Sequence, residues 1–182
     1  NYNICVTGTN RDKLKENEVN YKGKVKCIPC NLNDELQIER LVQQSNEYYG
    51  STDILINNAG INKISHFAEI DLDDFNRIQL VNVTAPFLLM RAVISHMCAQ
   101  NWGRIVNISS IWGKVAKAQR GSYATSKFAL DGMTNALAAE VAADGVLANS
   151  VAPGFIDTEL TRNVLGKKGI AEKIFYGSMD LI

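Results

Sequence analysis

Tyr123 and Lys127 stand four residues apart in Tyr-Ala-Thr-Ser-Lys, a spacing that puts a phenol and an ammonium on one face of a helix. A phenol at its ordinary pKa of about 10 exchanges protons poorly at neutral pH, and a neighbouring cation favours the phenolate and lowers that value. The pair predicts a proton-transfer site at Tyr123; the plain alternative is a Tyr and a Lys that share a helix face by chance. Ser110 ends the apolar run before this helix, so its hydroxyl is expected to face the same crevice and to hydrogen-bond a substrate carbonyl.

Such residues need a frame, and the chain alternates apolar runs with helical patterns. Tyr2 to Val6, Lys24 to Pro29, Asp53 to Asn57, Arg104 to Ser109 and Val146 to Ala152 read as strands, rich in β-branched residues and bounded by turn residues. A short charged helix is expected between the first two. Amphipathic helices are expected over Glu35 to Tyr49, over Leu72 to Gln100 with an interruption near Pro86, and from Ser122 to the Asp144-Gly145 stop. Strands that look buried on both faces, alternating with helices, predict a parallel sheet with helices on each side. Ligands of such a sheet lie beyond the carboxyl ends of the strands. Those ends present Thr7-Gly8-Thr9-Asn10-Arg11, Asn31-Leu32, Asn57-Asn58-Ala59-Gly60, Ser109-Ser110 and Pro153-Gly154-Phe155-Ile156-Asp157-Thr158, expected to line one crevice.

Taken in order, Asn-Asn-Ala-Gly at 57–60, Asn82 in Val-Asn-Val-Thr, Asn107-Ile108-Ser109-Ser110, Tyr-x-x-x-Lys at 123–127 and Pro153-Gly154 make the chain resemble the short-chain dehydrogenase/reductases. The resemblance is to the 3-oxoacyl-[acyl-carrier-protein] reductase type in particular. Ser110 sits thirteen residues before Tyr123, and residues 152–158 resemble that group's nicotinamide loop. The resemblance implies one Rossmann-like α/β domain over residues 1–182, a doubly wound parallel sheet. It implies that Tyr123 is the general acid of carbonyl reduction and that Ser110 orients and polarises the carbonyl. Lys127 would lower the pKa of Tyr123 and hydrogen-bond the ribose of the cofactor, and Asn82 would hold a water linking Lys127 to solvent. Asn58, Ala59 and Gly60 would close over the adenosine side, Asn31 beside Leu32 would meet the adenine edge, and Pro153, Gly154, Ile156 and Thr158 would hold the nicotinamide carboxamide. Asn31 departs from the Asp common in the family.

A carboxylate at the end of the cofactor-selecting strand accepts from the ribose of NAD and repels the extra phosphate of NADP. None stands after Cys5-Val6-Thr7-Gly8; Thr9, Asn10 and Arg11 offer a hydroxyl, an amide and a guanidinium instead. This favours NADP(H), with NAD(H) as the second choice and a solvated Arg11 as the plain alternative. The glycine-rich loop that receives the pyrophosphate in the family has no counterpart, since no glycine follows in Thr9 to Leu14. The expectation is a fold without its first βα unit and without the helix and strand that follow the substrate loop near Phe175 to Ser178.

The implied function is NADPH-dependent reduction of a 3-oxoacyl thioester. One alternative is a truncated, catalytically silent module that self-associates through the helices at 74–100 and 122–141, as a dimer or tetramer. Another is a carbonyl or sugar-alcohol oxidoreductase of the same family. Other classes recede: 19 basic against 19 acidic side chains in 182 residues give no broad attraction for nucleic acid or an anionic membrane. A 46% hydrophobic and 21% charged composition excludes disorder as the main state. No signal peptide or apolar span is visible and the four cysteines suit a reduced compartment, so a cytoplasmic protein is expected. Cys27-Ile28-Pro29-Cys30 has no second ligand pair, and alternation along a strand separates its thiols. No metal is therefore expected. His66 and His96 read as surface or packing residues.

Overall fold

The computed structural model describes residues 2–21, 24–158, 161 and 162. The order is β1 (Ile4–Gly8), α1 (Arg11–Asn20), β2 (Val25–Pro29), α2 (Glu35–Tyr49), β3 (Ile54–Asn57), α3 (Leu72–Gln79), α4 (Ala85–Ala99), β4 (Gly103–Ile108), α5 (Gly121–Val141) and β5 (Val146–Val151). Side-chain oxygens of Asn10, Asp34 and Asp71 start α1, α2 and α3 by accepting from backbone N–H groups one turn in, which satisfies donors a helix start leaves open. At the far end of α5, Gly145 takes a left-handed φ of 70° before β5. A Cβ there would lie 2.2 Å from the Asn101 carbonyl oxygen, so the turn requires glycine on both counts.

All strand pairs are parallel, and the architecture is Rossmann-like α/β. The strands form two sheets rather than one: β1 pairs with β2, and β3, β4 and β5 pair in that order. Burial on both faces is also not what the larger sheet shows. Ile105, Val146 and Ala148 are buried against Met90, Val93 and Met97 of α4 and against α5, each such side chain contributing about 1.5–3 kcal/mol when fully withdrawn from water. The alternate residues Ile56, Leu147 and Val151 are exposed, because α4 and α5 both pack on the other face.

The long helix expected over Leu72 to Gln100 is two helices. Between them Leu80–Thr84 forms a π turn, closed by the Ala85 N–H bonding the Leu80 carbonyl. Pro86 follows in the first turn of α4, where its missing N–H costs little. The interruption thus falls one turn earlier than the proline, and it carries Asn82. α4 also joins the two sheets. Its Ala85, Leu88 and Leu89 pack with Ile28, Cys30, Ile38 and Leu41 of the smaller unit, while its later turns fill the core of the larger one.

Candidate active site

β4 ends at Ile108 and delivers Ser110 to the lip of the larger sheet. Ser110 is buried, and its hydroxyl oxygen accepts the Trp112 N–H at 3.3 Å, starting a short 3₁₀ turn over Ile111–Gly113. The Ile111 N–H bonds the Pro153 carbonyl at 3.0 Å, so the turn bearing Ser110 is fixed to the segment leaving β5. Tyr123 and Lys127 lie on successive turns of α5, 9% and 3% exposed. The Lys127 Nζ lies 5.6 Å from the Tyr123 ring centroid and donates to the Ile108 carbonyl at 2.7 Å. Ser110, Tyr123 and Lys127 are therefore brought together, as their types and spacing predict.

The electrostatics bring in groups besides Lys127. Burial pushes the Tyr123 phenol above its ordinary value, while the Ser110 hydroxyl and the positive charge of Arg120 pull it down. The Lys127 ammonium gives one donor to the Ile108 carbonyl, and burial holds its own pKa at about 8 against a smaller opposite pull from Asp131. Asp131, one turn beyond Lys127, is a buried carboxylate whose ion pair is with Lys114 at 3.0 Å.

Asn82 is fully buried and its amide is spent on protein. It accepts from the Ile61 N–H at 2.9 Å, donates to the Ile61 carbonyl at 2.9 Å and donates to the Ser126 hydroxyl at 3.0 Å. Ser126 in turn donates to the Tyr123 carbonyl at 2.7 Å. One side chain on the π turn thereby ties the loop after β3 to the helix bearing Tyr123. A second buried chain runs from Asn57 to Asn107 to Thr134, each link 2.8 Å, and ends on the Leu130 carbonyl at 2.6 Å. Ser126, Thr134, Arg120 and Asp131 were not singled out by sequence reasoning. A polar residue on the buried side of a helical pattern was their available signal.

The remaining residues fall in two groups. Near the cluster, Gly60 has its Cα hydrogen directed at Asn82 and Lys127; a Cβ would stand 3.4 Å from the Asn82 Oδ1 and 3.6 Å from the Lys127 Nζ. Asn58 and Ala59 are exposed beyond β3, as are Gly154 and Ile156 beyond β5, while Pro153 is half-buried. Thr158 accepts the Thr161 N–H at 3.2 Å. The second group sits at the ends of the smaller sheet. Thr9 and Arg11 are exposed, and Asn10 caps α1. Asn31 accepts the Asn33 N–H at 3.1 Å, and Leu32 packs into the core beside Cys30. The strand ends expected to line one crevice thus belong to two hydrogen-bonded sheets. Phe175 to Ser178 lie outside the described residues.

The donor set suits the nicotinamide and ribose half of a dinucleotide. A lysine ammonium has three N–H donors, and the Ile108 carbonyl takes one, leaving two for adjacent hydroxyls. Around Gly154 nothing stands within 4 Å of a would-be Cβ, so backbone is open to approach there.

The model of the short chain dehydrogenase family matches residues 1–169. A 3-oxoacyl-[acyl-carrier-protein] reductase FabG of Aquifex aeolicus is 38% identical over 162 residues, which are 87% of this chain and 65% of the relative. The corresponding FabG of Rickettsia bellii is 36% identical over 180 residues, 98% of this chain and 73% of that one. Among solved structures, a gluconate 5-dehydrogenase from Burkholderia cenocepacia, in complex with NADP and tartrate, superposes with a TM-score of 0.82 at 27% identity, covering 93% of this chain and 68% of its own. The chain spans just under two thirds of the length of the Aquifex relative.

Proposed function

The chain belongs to the short-chain dehydrogenase family, and from that premise we propose that it reduces the carbonyl of a 3-oxoacyl compound to a hydroxyl, with NADPH as the preferred cofactor. The observation that carries the proposal is the convergence of Ser110 and Tyr123 beside a buried Lys127. When bound, the nicotinamide supplies the hydride. The Ser110 hydroxyl, held from behind by the Trp112 N–H, donates to the carbonyl oxygen and orients it. Tyr123 passes its phenolic proton to that oxygen; with its pKa raised by burial it enters the reaction protonated. Lys127 would hold the ribose with its two remaining donors, and the exposed Asn58, Ala59, Gly154, Ile156 and Thr158 with the half-buried Pro153 would supply the rest of the cradle. Asn82 acts as the brace between the loop after β3 and α5.

Thioesters are the first substrates to try, because the Aquifex and Rickettsia relatives are named 3-oxoacyl-[acyl-carrier-protein] reductases. A free oxo acid is the second reading; the buried Arg120 near Tyr123 and the likeness to a gluconate 5-dehydrogenase holding NADP and tartrate favour it. Preference for NADPH rests on the exposed Thr9 and Arg11 after β1; Asn31, beside Leu32, would meet the adenine edge. Self-association is proposed through the exposed face of α5 around Phe128, Ala129 and Ala136.

The test is reduction of acetoacetyl thioester by the protein and by Tyr123→Phe, with NADPH and NADH compared. Loss of about 10²- to 10⁴-fold in turnover, with unchanged thermal stabilisation by NADPH, is expected. Near-normal turnover in the variant would remove Tyr123 from its role.

A further inference from the structure

We propose that Arg120 is the anion-binding residue of the substrate pocket and selects oxo acids whose carboxylate lies next to the reacting carbonyl. The inference rests on Tyr123 and Ser110 receiving the carbonyl oxygen, as above, and takes the free oxo acid, the second substrate reading, over the thioester.

Arg120 stands immediately before α5, and its carbonyl takes the first helical bond, from the Ala124 N–H at 2.7 Å. Its side chain therefore leaves the helix start one turn before Tyr123, on the flank the phenol occupies. Only 6% of the residue is exposed. An arginine covered to that extent normally turns its guanidinium to a carboxylate or a set of carbonyls. Among the described residues no carboxylate lies within ion-pair distance of Arg120 and no side-chain hydrogen bond engages it. The nearby charges are already committed: Asp131 pairs with Lys114, and Lys127 bonds the Ile108 carbonyl. The group that feels Arg120 is the Tyr123 phenol itself.

The backbone is arranged to keep Arg120 there. Gln119, a non-glycine residue, adopts φ 65°, a left-handed conformation that persists only where its surroundings hold it and that gathers at ligand sites. Two contacts from the loop after β3 hold it: the Ser65 N–H bonds the Gln119 carbonyl at 3.3 Å, and the Gln119 amide meets the His66 ring at 3.1 Å. The result is a largely covered arginine with five donors, beside the proton donor and, among the described residues, without a carboxylate partner. A carboxylate one or two carbons from the carbonyl would span the two groups, accepting from the planar fork of Arg120 while the carbonyl oxygen meets Tyr123 and Ser110.

The experiment compares sodium acetoacetate with ethyl acetoacetate, an acid and its neutral ester, in the wild-type protein, Arg120→Met and Arg120→Lys. In the wild type the acid is expected to exceed the ester in kcat/KM by about tenfold or more. Arg120→Met should remove that preference, chiefly through the KM of the acid, and Arg120→Lys should keep part of it. Binding is read separately from the thermal midpoint: acetoacetate should stabilise the wild type beyond sodium chloride of equal ionic strength, and should not stabilise Arg120→Met. Arg120→Met keeps the aliphatic stem and removes a charge that no carboxylate among the described residues pairs, so its own midpoint should not fall. An acid-to-ester ratio unchanged in Arg120→Met, or no acetoacetate-specific stabilisation of the wild type, overturns the inference. Stabilisation by the acid that depends on Arg120, with neither compound reduced, keeps the anion site and overturns the reductase reading instead.

Discussion

Replacing Lys127 by Met should make the protein more stable at pH 7 and less stable at pH 10. The ammonium is 3% exposed, and burial holds its pKa at about 8 against an ordinary 10.5. Below pH 8 both folded and unfolded chains carry the proton, and folding bears the full cost of burying the charge. The difference between 10.5 and about 8, at about 1.4 kcal/mol per pH unit, sets that cost near 3 kcal/mol. Between pH 8 and 10.5 the unfolded chain binds more protons than the folded one, so stability rises with pH through this window and the cost is gone above it. At pH 10 less than about 1 kcal/mol of it remains. Met keeps the apolar stem but leaves the Ile108 carbonyl, now bonded at 2.7 Å, without its donor, a loss of about 2 kcal/mol at any pH. The sum is a variant about 1 kcal/mol more stable than wild type at pH 7 and about 1 kcal/mol less stable at pH 10. Urea unfolding of both proteins at the two pH values measures this, and taking the difference cancels the thiols and phenols that titrate in the same range. A stability gap that does not change with pH, or a variant much weaker than wild type at pH 7, would refute the reasoning.

Asn82→Ala should lower unfolding free energy by about 2–4 kcal/mol, because it strands the Ile61 N–H and carbonyl and the Ser126 hydroxyl and leaves a cavity; urea midpoints check it, and a loss below about 1 kcal/mol would deny Asn82 its bracing role. Gly113→Ala and Gly132→Ala should differ in sign. The first places a Cβ 2.7 Å from the Asp131 carboxylate and the Ser109 hydroxyl and 3.1 Å from the Lys127 backbone, costing about 1–3 kcal/mol. The second has nothing within 4 Å and lies inside α5, so it gains about 0.5–1 kcal/mol; equal thermal shifts in the two variants would contradict the packing described.

What could be read ahead of the structure follows the range of the forces involved. The bounds of α2 and β2 come from local patterning: Glu35 to Tyr49 shows its apolar face and its cap within one segment, and the Tyr123–Lys127 spacing is a property of one helix. The division into two sheets is not local. Which edge of β1 or β3 finds a partner depends on strands far away in sequence, and Ile54 and Ile56 read as buried on both faces although Ile56 is 61% exposed. The π turn at Leu80–Thr84 escaped because Pro86 is the more obvious breaker, yet an Asn inside an apolar helical run was the truer mark, since its amide needs partners that a regular turn would not give it.

The charge on the Tyr123 phenol shows the same limit more sharply. From spacing alone Lys127 is the natural cation to act on it, since four residues bring the two onto one face. The structure turns the ammonium toward the Ile108 carbonyl, 5.6 Å from the ring centroid, and brings Arg120 and Ser110 to bear on the phenol as well. That assignment depends on where β4 ends, because a carbonyl at the strand's last residue is what captures Lys127. It depends equally on Gln119, whose left-handed turn keeps Arg120 inside rather than in water. Both are tertiary facts. A helix motif can name the residues of a proton-transfer site, but the sheet edge and the loop packed against it decide which charge each of them feels.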